Sequence, residues 1–243
     1  MDKICVIIPV YNHAKTIGAV IDGVLHYGLK VFVVNDGSTD NLLDILQIYE
    51  EKIELISYPK NKGKGYALKC GFQAAQKENY EYAITLDADG QHRPEDIPLL
   101  LSEIEQYPNS LIIGSRKLVH ENMPSKSTFA NRFSNFWFTV HTGKCLPDTQ
   151  TGFRLYPLLQ MKKMNLATSR YEAELELLVC LAWRGVNIIP VKINVFYPER
   201  NERVTHFRPF QDFFRISVLN TVFTFVAIIY GYPRMLINKL KIK

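Results

Sequence analysis

The segment Ile84–Asp96, with the sequence ITLDADGQHRPED, indicates the fold class of this chain. It begins as a short apolar run and reaches two aspartates one residue apart. It then passes through Gly90 to Pro94, a residue suited to the first turn of a helix. A strand that ends in a polar loop and leads into a helix is the repeating unit of an α/β domain. The two carboxylates either cap the loop or hold a cation against an anionic ligand.

The same unit recurs along the first half of the chain. Short β-branched runs predict buried strands at 4–8, 31–34, 53–56, 83–86 and 111–113. Apolar residues at helical spacing follow two of these runs, around Ile17–Leu25 and Ile97–Ile104, and Gly28 suits the end of the first helix. This alternation predicts an α/β fold with a Rossmann-like, mainly parallel sheet flanked by helices.

Composition describes an ordinary globular protein. The 243 residues are 47% hydrophobic and 22% charged, with a net charge of +5, which suits one sizeable domain with or without an appendage. The basic residues form no stripe with interleaved aromatics, so no nucleic-acid partner is expected. Four scattered cysteines indicate a reduced, cytosolic protein, and the opening residues lack the apolar core of a signal peptide, so export is not expected.

Polar residues cluster where the predicted strands end. Ligands of open α/β sheets bind beyond the carboxyl ends of the strands. Any one of these clusters is explained by a turn, but all of them fall on the same edge and together predict a binding site. The segments are 9–12, 35–40, 61–65, 87–89 and 114–116.

The acidic pair offers hard oxygen ligands. Asp87, Asp89 and Gln91 alternate as the chain leaves its strand, a pattern that suits Mg²⁺ or Mn²⁺. Magnesium commonly takes one or two carboxylates and completes its shell with phosphate oxygens. The alternative is an Asx-turn at Asp89 with Asp87 as a cap.

Other clusters suit a nucleotide. Asp36 can accept a nucleobase N–H, and Arg116 can bind phosphate through its planar fork. A basic, glycine-containing loop precedes a helix start, where phosphate is attracted; it contains Lys60, Lys62 and Lys64. The alternatives are a plain turn at Asp36, a solvated loop, and an ordinary ion pair for Arg116.

The C-terminal segment differs from the rest. Residues 216–233 carry no charge, and 18 residues of helix span ~27 Å, just short of a hydrocarbon core. Gly231 and Pro233 are predicted to end this helix, and a short basic amphipathic helix follows. We therefore predict a catalytic domain at 1–209 and membrane-associating helices at 210–243, lying in or dipping into the cytoplasmic leaflet. The alternative is a packed helix or a dimer interface, and the oligomeric state stays open.

Six segments in order carry a family resemblance. VIIPVYN, VNDGSTD, NKGKGYAL, LDADGQHRPED, IIGSR and DTQTGFRLY resemble family 2 glycosyltransferases, closest to the polyprenyl-phosphate or dolichyl-phosphate sugar transferase type, over about residues 3–208. The resemblance implies a GT-A fold, a UDP- or GDP-sugar donor, Mg²⁺ or Mn²⁺, and a lipid acceptor. From it, together with the cysteine usage and the C-terminal segment, we expect a cytoplasmic protein that is peripheral on the inner face of the cell membrane.

The resemblance also implies roles for individual residues. The catalytic group is Asp89, Arg116 and Asp148. The nucleotide-sugar group is Pro9, Tyr11, Asn12, Asp36, Lys64 and Asp87. The metal group is Asp87, Asp89 and Gln91, and the acceptor-phosphate group is Arg132, Ser134 and Arg200. The chain departs from the family at 200–206, where RNERVTH replaces Arg-x-x-Gly-x-Ser-Lys and leaves the acceptor open.

The implied reaction is a single inverting displacement. A phosphate acceptor is largely ionised near neutral pH and needs cationic positioning by Arg116, Arg132 and Arg200. A hydroxyl acceptor needs a general base, for which Asp148, Glu172 and Glu174 are candidates. For Glu174 we favour the alternative, the solvated face of a helix. The alternative functions are transfer to a glycan hydroxyl in polysaccharide assembly and non-catalytic nucleotide-sugar binding.

Overall fold

A computed structural model describes residues 3–116, 125–196 and 209–241. Its centre is a seven-stranded sheet with the order β3-β2-β1-β4-β6-β5-β7. The strands are β1 (Ile4–Val10), β2 (Lys30–Asp36), β3 (Ile53–Tyr58), β4 (Tyr82–Thr85), β5 (Leu111–Ser115), β6 (Arg154–Pro157) and β7 (Ile188–Lys192).

The sheet is mainly parallel, as predicted. Strands β3, β2, β1 and β4 run parallel to one another, and β5 runs parallel to β7. Strand β6 is antiparallel to both of its neighbours. All five predicted strands are confirmed, so the α/β fold class is correct. Strands β6 and β7 were not predicted, because one contains an arginine and the other a central proline.

Helices cover both faces of the sheet, and each face has its own apolar cluster. One of the two clusters contains Ile17 and Ile21 of α1 and Leu100 of α4, so the predicted apolar faces of these two helices are confirmed. The α-helices before the C-terminal segment are α1 (Ala14–Leu25), α2 (Leu42–Gln47), α3 (Lys64–Lys77), α4 (Ile97–Gln106), α5 (Ser125–Thr142), α6 (Leu158–Met161) and α7 (Glu172–Trp183).

The C-terminal segment is one long helical stretch, which corrects the predicted break. Helix α8 (Pro209–Val226) passes through a π-helical turn, Ala227–Gly231, into α9 (Tyr232–Lys241). The π turn interrupts the regular α-helical bonding just before Pro233, which has no N–H to donate. The chain therefore stays helical through Gly231 and Pro233 instead of ending there.

One side of this stretch packs on the rest of the protein. The Trp183 indole donates to the carbonyl of His141 at 2.8 Å, and His141 Nε2 lies 3.1 Å from the carbonyl of Asn220. Gly231 lies against the Trp183 ring, where an added Cβ would be 2.4 Å from Nε1. Helices α8 and α9 are thus fixed to α5 and α7 along much of their length.

Candidate active site

The carboxyl edge of the sheet brings most of the predicted site residues together. The ends of β1, β2, β4 and β5 contribute Asn12, Asp36, Asp87 and Arg116, and the start of α3 contributes Lys64. The carboxyl ends of parallel strands meet at one edge, so residues far apart in sequence become neighbours.

Lys64 lies between two carboxylates. Its ammonium group donates to Asp87 Oδ1 at 2.7 Å and to Glu174 Oε2 at 3.0 Å. Burial opposes the charge of Lys64, but Asp87 and Glu174 outweigh this effect and raise its pKa. Burial likewise opposes the charge of Asp87, and Lys64 in turn holds the pKa of Asp87 below its usual range. The prediction that Glu174 lies on a solvated helix face was wrong, because Glu174 is buried and paired.

Asp89 takes part in the turn that follows. The backbone N–H of Gln91 donates to Asp89 Oδ1 at 2.9 Å. This is the Asx-turn predicted from the sequence as the alternative to a metal site. Burial and the neighbouring charge of Asp87 raise the pKa of Asp89 to about 6. Burial lowers the pKa of His92 to about 4, so this imidazole, stacked on Phe153, is neutral.

The acidic pair fits a divalent cation that is completed by ligand oxygens. Across residues 3–116, 125–196 and 209–241, no group of three or more His, Cys, Asp and Glu side chains could hold a metal ion. The protein therefore supplies an incomplete set of hard oxygen donors at Asp87 and Asp89. Burial, and then the like charge of Asp87, raise the pKa of Asp89, and a cation at this pair would relieve the like-charge part.

Asp36 fastens the basic loop to β2. Its carboxylate accepts from the amides of Lys62 and Gly63 at 2.7 and 2.8 Å, and from the Asn61 side chain at 2.9 Å. Gly63 has φ of 101°, a backbone conformation that favours glycine. Asp36 thus orients the loop that delivers Lys64, in addition to the nucleobase role predicted for it.

Asn12 links the ends of β1 and β2. Its backbone N–H donates to Ser38 Oγ at 3.0 Å, and its side-chain oxygen accepts from the backbone N–H of Thr39 at 2.7 Å. Its φ of 55° is unusual for a residue other than glycine and is consistent with a constrained loop. Pro9 lies on β1 in this same region, and Tyr11 directly precedes Asn12.

Arg116 and Asp148 form a second charged centre. Arg116 donates from both Nε and a terminal nitrogen to the two oxygens of Asp148, at 2.6 and 3.0 Å. Asn131 and the Gln150 amide also donate to Asp148. Burial opposes ionisation of Asp148, but the hydrogen bonds and charge of Arg116 hold its pKa below the usual range. Asp148 therefore acts here as a fixed anion that orients Arg116.

The structure describes two of the three predicted acceptor-phosphate residues, and these two differ in burial. Ser134 is buried on α5 and bonds to Thr149 at 2.7 Å, one turn from the Asn131 that contacts Asp148. Arg132 is exposed on the same helix. Arg200 and the departing 200–206 segment lie outside the described residues.

Arg154 is a structural residue that the sequence did not reveal. It is fully buried and donates to the carbonyls of Thr149, Thr151 and Glu174 and to the Tyr156 hydroxyl, at 2.7–3.0 Å. It thereby ties the 149–151 loop to α7, beneath both charged centres. Its position in the quoted segment DTQTGFRLY was visible, but its burial was not.

Comparison with known proteins extends the resemblance. The model of "Glycosyl transferase family 2" matches residues 5–154. A UDP-N-acetylglucosamine–dolichyl-phosphate N-acetylglucosaminyltransferase from Methanococcus voltae is 30% identical, covering 81% of this chain and 86% of the relative. A polyprenol monophosphomannose synthase from Mycolicibacterium smegmatis is 26% identical, covering 80% of this chain and 77% of the relative.

The fold has solved counterparts. Glucosyl-3-phosphoglycerate synthase from Mycobacterium tuberculosis, crystallised with Mn²⁺, UDP-glucose and phosphoglyceric acid, superposes with a TM-score of 0.67. The match covers 93% of this chain and 79% of that one at 16% identity, which supports the GT-A fold alone. By its matched family model, its dolichyl- and polyprenyl-phosphate relatives and its sheet, the chain belongs to glycosyltransferase family 2.

Proposed function

We propose that this protein is an inverting, metal-dependent glycosyltransferase that moves a sugar from a nucleoside-diphosphate sugar to a polyprenyl phosphate. The observation that carries the proposal is the pairing of two centres on one edge. One is an acidic pair with a lysine, and the other is an arginine fixed by a buried aspartate. The first suits a departing diphosphate, and the second suits an incoming phosphate.

The acidic pair would hold Mg²⁺ or Mn²⁺ through Asp89 and Asp87, with Gln91 beside them. When bound, the ion would stabilise the negative charge that develops on the leaving diphosphate. Lys64 adds a positive charge at the same place, and Asp36 holds the loop that carries it. Asn12 and Tyr11 flank the expected nucleotide position.

The fixed Arg116 supports a phosphate acceptor, and a hydroxyl acceptor would have to use the one candidate base that is not engaged in an ion pair among the described residues. Two of the three candidate bases are already engaged, because Asp148 pairs with Arg116 and Glu174 pairs with Lys64. Glu172 is the remaining candidate; it is buried, and its Oε2 finds no hydrogen-bond partner in the described part of the chain. An ionised phosphate needs no base and suits Arg116, with Arg132 and Arg200 as further cations.

The C-terminal helices supply a lipid-facing surface, which we name the apolar face. Residues Phe210–Leu240 form a helix long and apolar enough to cross a membrane by length and composition, with 22% of the apolar window buried. Residues 219–238 stay in contact with the rest of the protein, so we infer that the helix lies on the inner surface of the membrane. The apolar face comprises Phe210, Phe213, Phe214, Val218, Val222, Phe225, Ile228, Ile229, Leu236, Ile237 and Leu240.

The proposal is tested by incubating the protein with UDP- or GDP-sugars, Mn²⁺, and vesicles containing polyprenyl phosphate. The expected product is a polyprenyl-phosphate sugar, detected by its mass, with release of nucleoside diphosphate. Transfer only to a soluble glycan would favour the polysaccharide alternative. Nucleotide-sugar binding without turnover on any acceptor would favour the non-catalytic alternative.

A further inference from the structure

The ion pair between Lys64 and Asp87 occupies a carboxylate that a divalent cation would also need. Lys64 donates to Asp87 Oδ1 at 2.7 Å, and its side chain is only 17% exposed. A divalent ion at the acidic pair would compete with Lys64 for Asp87. An ammonium group in partly buried surroundings is costly to leave without a partner, so this competition would weaken binding of the ion.

Glu174 is placed to relieve that competition. Its Oε2 accepts from Lys64 at 3.0 Å, and its side chain is 11% exposed. Glu174 approaches from α7, whereas Asp87 approaches from the end of β4. Lys64 therefore keeps one carboxylate partner when the other is taken.

The backbone holds Lys64 and Glu174 at this spacing. The Tyr66 amide donates to the Ser169 carbonyl at 2.9 Å, which joins the first turn of α3 to the segment before α7. Gly65 packs so closely on Ala173 that an added Cβ would lie 2.3 Å from the Ala173 Cβ. The Glu174 carbonyl also accepts from the buried Arg154 at 2.9 Å.

We propose that Glu174 is a positioning residue that keeps Lys64 paired when a divalent cation takes Asp87. The inference builds on the proposed function, because it requires a divalent cation at Asp87 and Asp89. Glu174 acts through Lys64 and is not itself a ligand of the ion. Without its carboxylate charge, cation binding would strip Lys64 of its anionic partners.

The test is a double-mutant cycle on Mn²⁺ affinity, measured by electron paramagnetic resonance on the full chain at pH 7.5 without nucleotide. Glu174→Gln should weaken Mn²⁺ binding on the order of tenfold, because the partly buried ammonium of Lys64 then has Asp87 as its remaining anionic partner and competes more strongly for it. Lys64→Met should strengthen it, because the competing cation is gone. In the Lys64→Met background, Glu174→Gln should change the affinity by no more than about twofold.

Controls separate this role from a loss of structure. Glu81 pairs with Lys3 at 2.5 Å, near the opposite end of β4, so Glu81→Gln should leave Mn²⁺ affinity within about twofold. Glu174→Asp, which retains the charge, should restore part of the lost affinity. Thermal unfolding identifies any variant that is no longer folded, and only folded variants enter the cycle.

The outcomes distinguish the inference from the proposed function. An equal effect of Glu174→Gln in both backgrounds, or no effect in either, would overturn the positioning role while leaving the proposed function intact. Wild-type protein that binds no Mn²⁺ in this cycle, and none when the measurement is repeated with nucleoside diphosphate, would overturn both; Mn²⁺ binding that requires the nucleotide would overturn the positioning role as stated for the free protein.

Discussion

The carboxyl edge of the sheet and the C-terminal helices depart from the usual protein pattern in opposite ways. At the edge, charged groups are buried or partly buried: Asp148 is inaccessible, and Lys64 is 17% exposed. On α8, α9 and the π-helical turn between them, large apolar side chains are exposed, including Phe210 at 93% and Ile229 at 79%. Charged residues are rarely buried unless paired, and contiguous apolar patches of this kind mark interaction surfaces.

The difference shows how each region is stabilised before its partner arrives. Charges at the edge are compensated within the protein, as in the pairs of Lys64 with Asp87 and of Arg116 with Asp148. The apolar face has no such internal compensation in the described part of the chain, since only one side of the helix packs on α5 and α7. Under the proposed function, ligands would replace internal partners at the edge, whereas lipid would be the first partner of the apolar face.

The largest expected effect comes from removing the buried arginine that supports the carboxyl edge. Arg154→Met removes four hydrogen bonds from a fully buried network and should lower the free energy of unfolding by about 3–5 kcal/mol. Urea denaturation measures this change. Arg93 is exposed, and Arg93→Met should stay within about 0.5 kcal/mol of wild type. Equal stability of the two variants would mean that Arg154 does not support the edge.

The second prediction removes a charge from the edge and leaves the Arg154 network intact. Asp89→Ala should reduce Mn²⁺-dependent release of nucleoside diphosphate by about 10²–10³-fold, because the departing charge loses its stabilisation. Asp44→Ala, which alters an exposed carboxylate on α2, serves as the control. Full turnover by the Asp89 variant would reject the metal-dependent mechanism.

The third prediction alters the apolar face and spares the edge. Phe214→Glu with Ile229→Glu should weaken binding to anionic phospholipid vesicles by at least about tenfold, since two exposed apolar side chains are lost from the lipid contact. Turnover of a soluble short-chain prenyl phosphate should stay within about twofold. Co-sedimentation measures the binding. The matched control is Leu43→Glu with Ile48→Glu, two exposed apolar positions on α2 and directly after it. Unchanged vesicle binding would contradict the lipid-facing assignment.

The smallest expected effect is the pH dependence of Mn²⁺ affinity at the edge. The raised pKa of Asp89, about 6, means that the group carries a proton below pH 6 and must lose it to bind a cation. Mn²⁺ affinity should therefore be steady above about pH 7 and fall by up to tenfold per unit below pH 6. The step should vanish in Asp89→Asn. A pH-independent wild-type affinity would exclude Asp89 as the titrating ligand.

The parts of this molecule that local chemistry decides were predictable. Short β-branched runs such as ICVII, bounded by turn residues, favour buried strands. The residues of the edge could then be predicted, because parallel strands align their carboxyl ends. The placement of Asp36, Asp87 and Arg116 on one edge of the sheet could thus be expected from the order of strands and polar segments along the chain.

Contacts between distant segments were not predictable. Glu174 follows Lys64 by 110 positions, and only the packing of α3 on α7 shows that they pair. Arginine is usually exposed, so nothing in GFRLY indicated that Arg154 is buried. The helix through Pro233 was also missed, because a π turn absorbs a residue that normally ends a helix.

The most direct test of the central claim is a single reaction. Purified protein is incubated with nucleotide sugars and polyprenyl-phosphate vesicles, with Mn²⁺ or with EDTA, and the lipid fraction is analysed by mass spectrometry. We predict a polyprenyl-phosphate sugar with one sugar donor at least, formed with Mn²⁺ and lost with EDTA. A protein that binds nucleotide sugar and vesicles yet forms no lipid-linked sugar, or forms equal amounts in EDTA, would contradict the account.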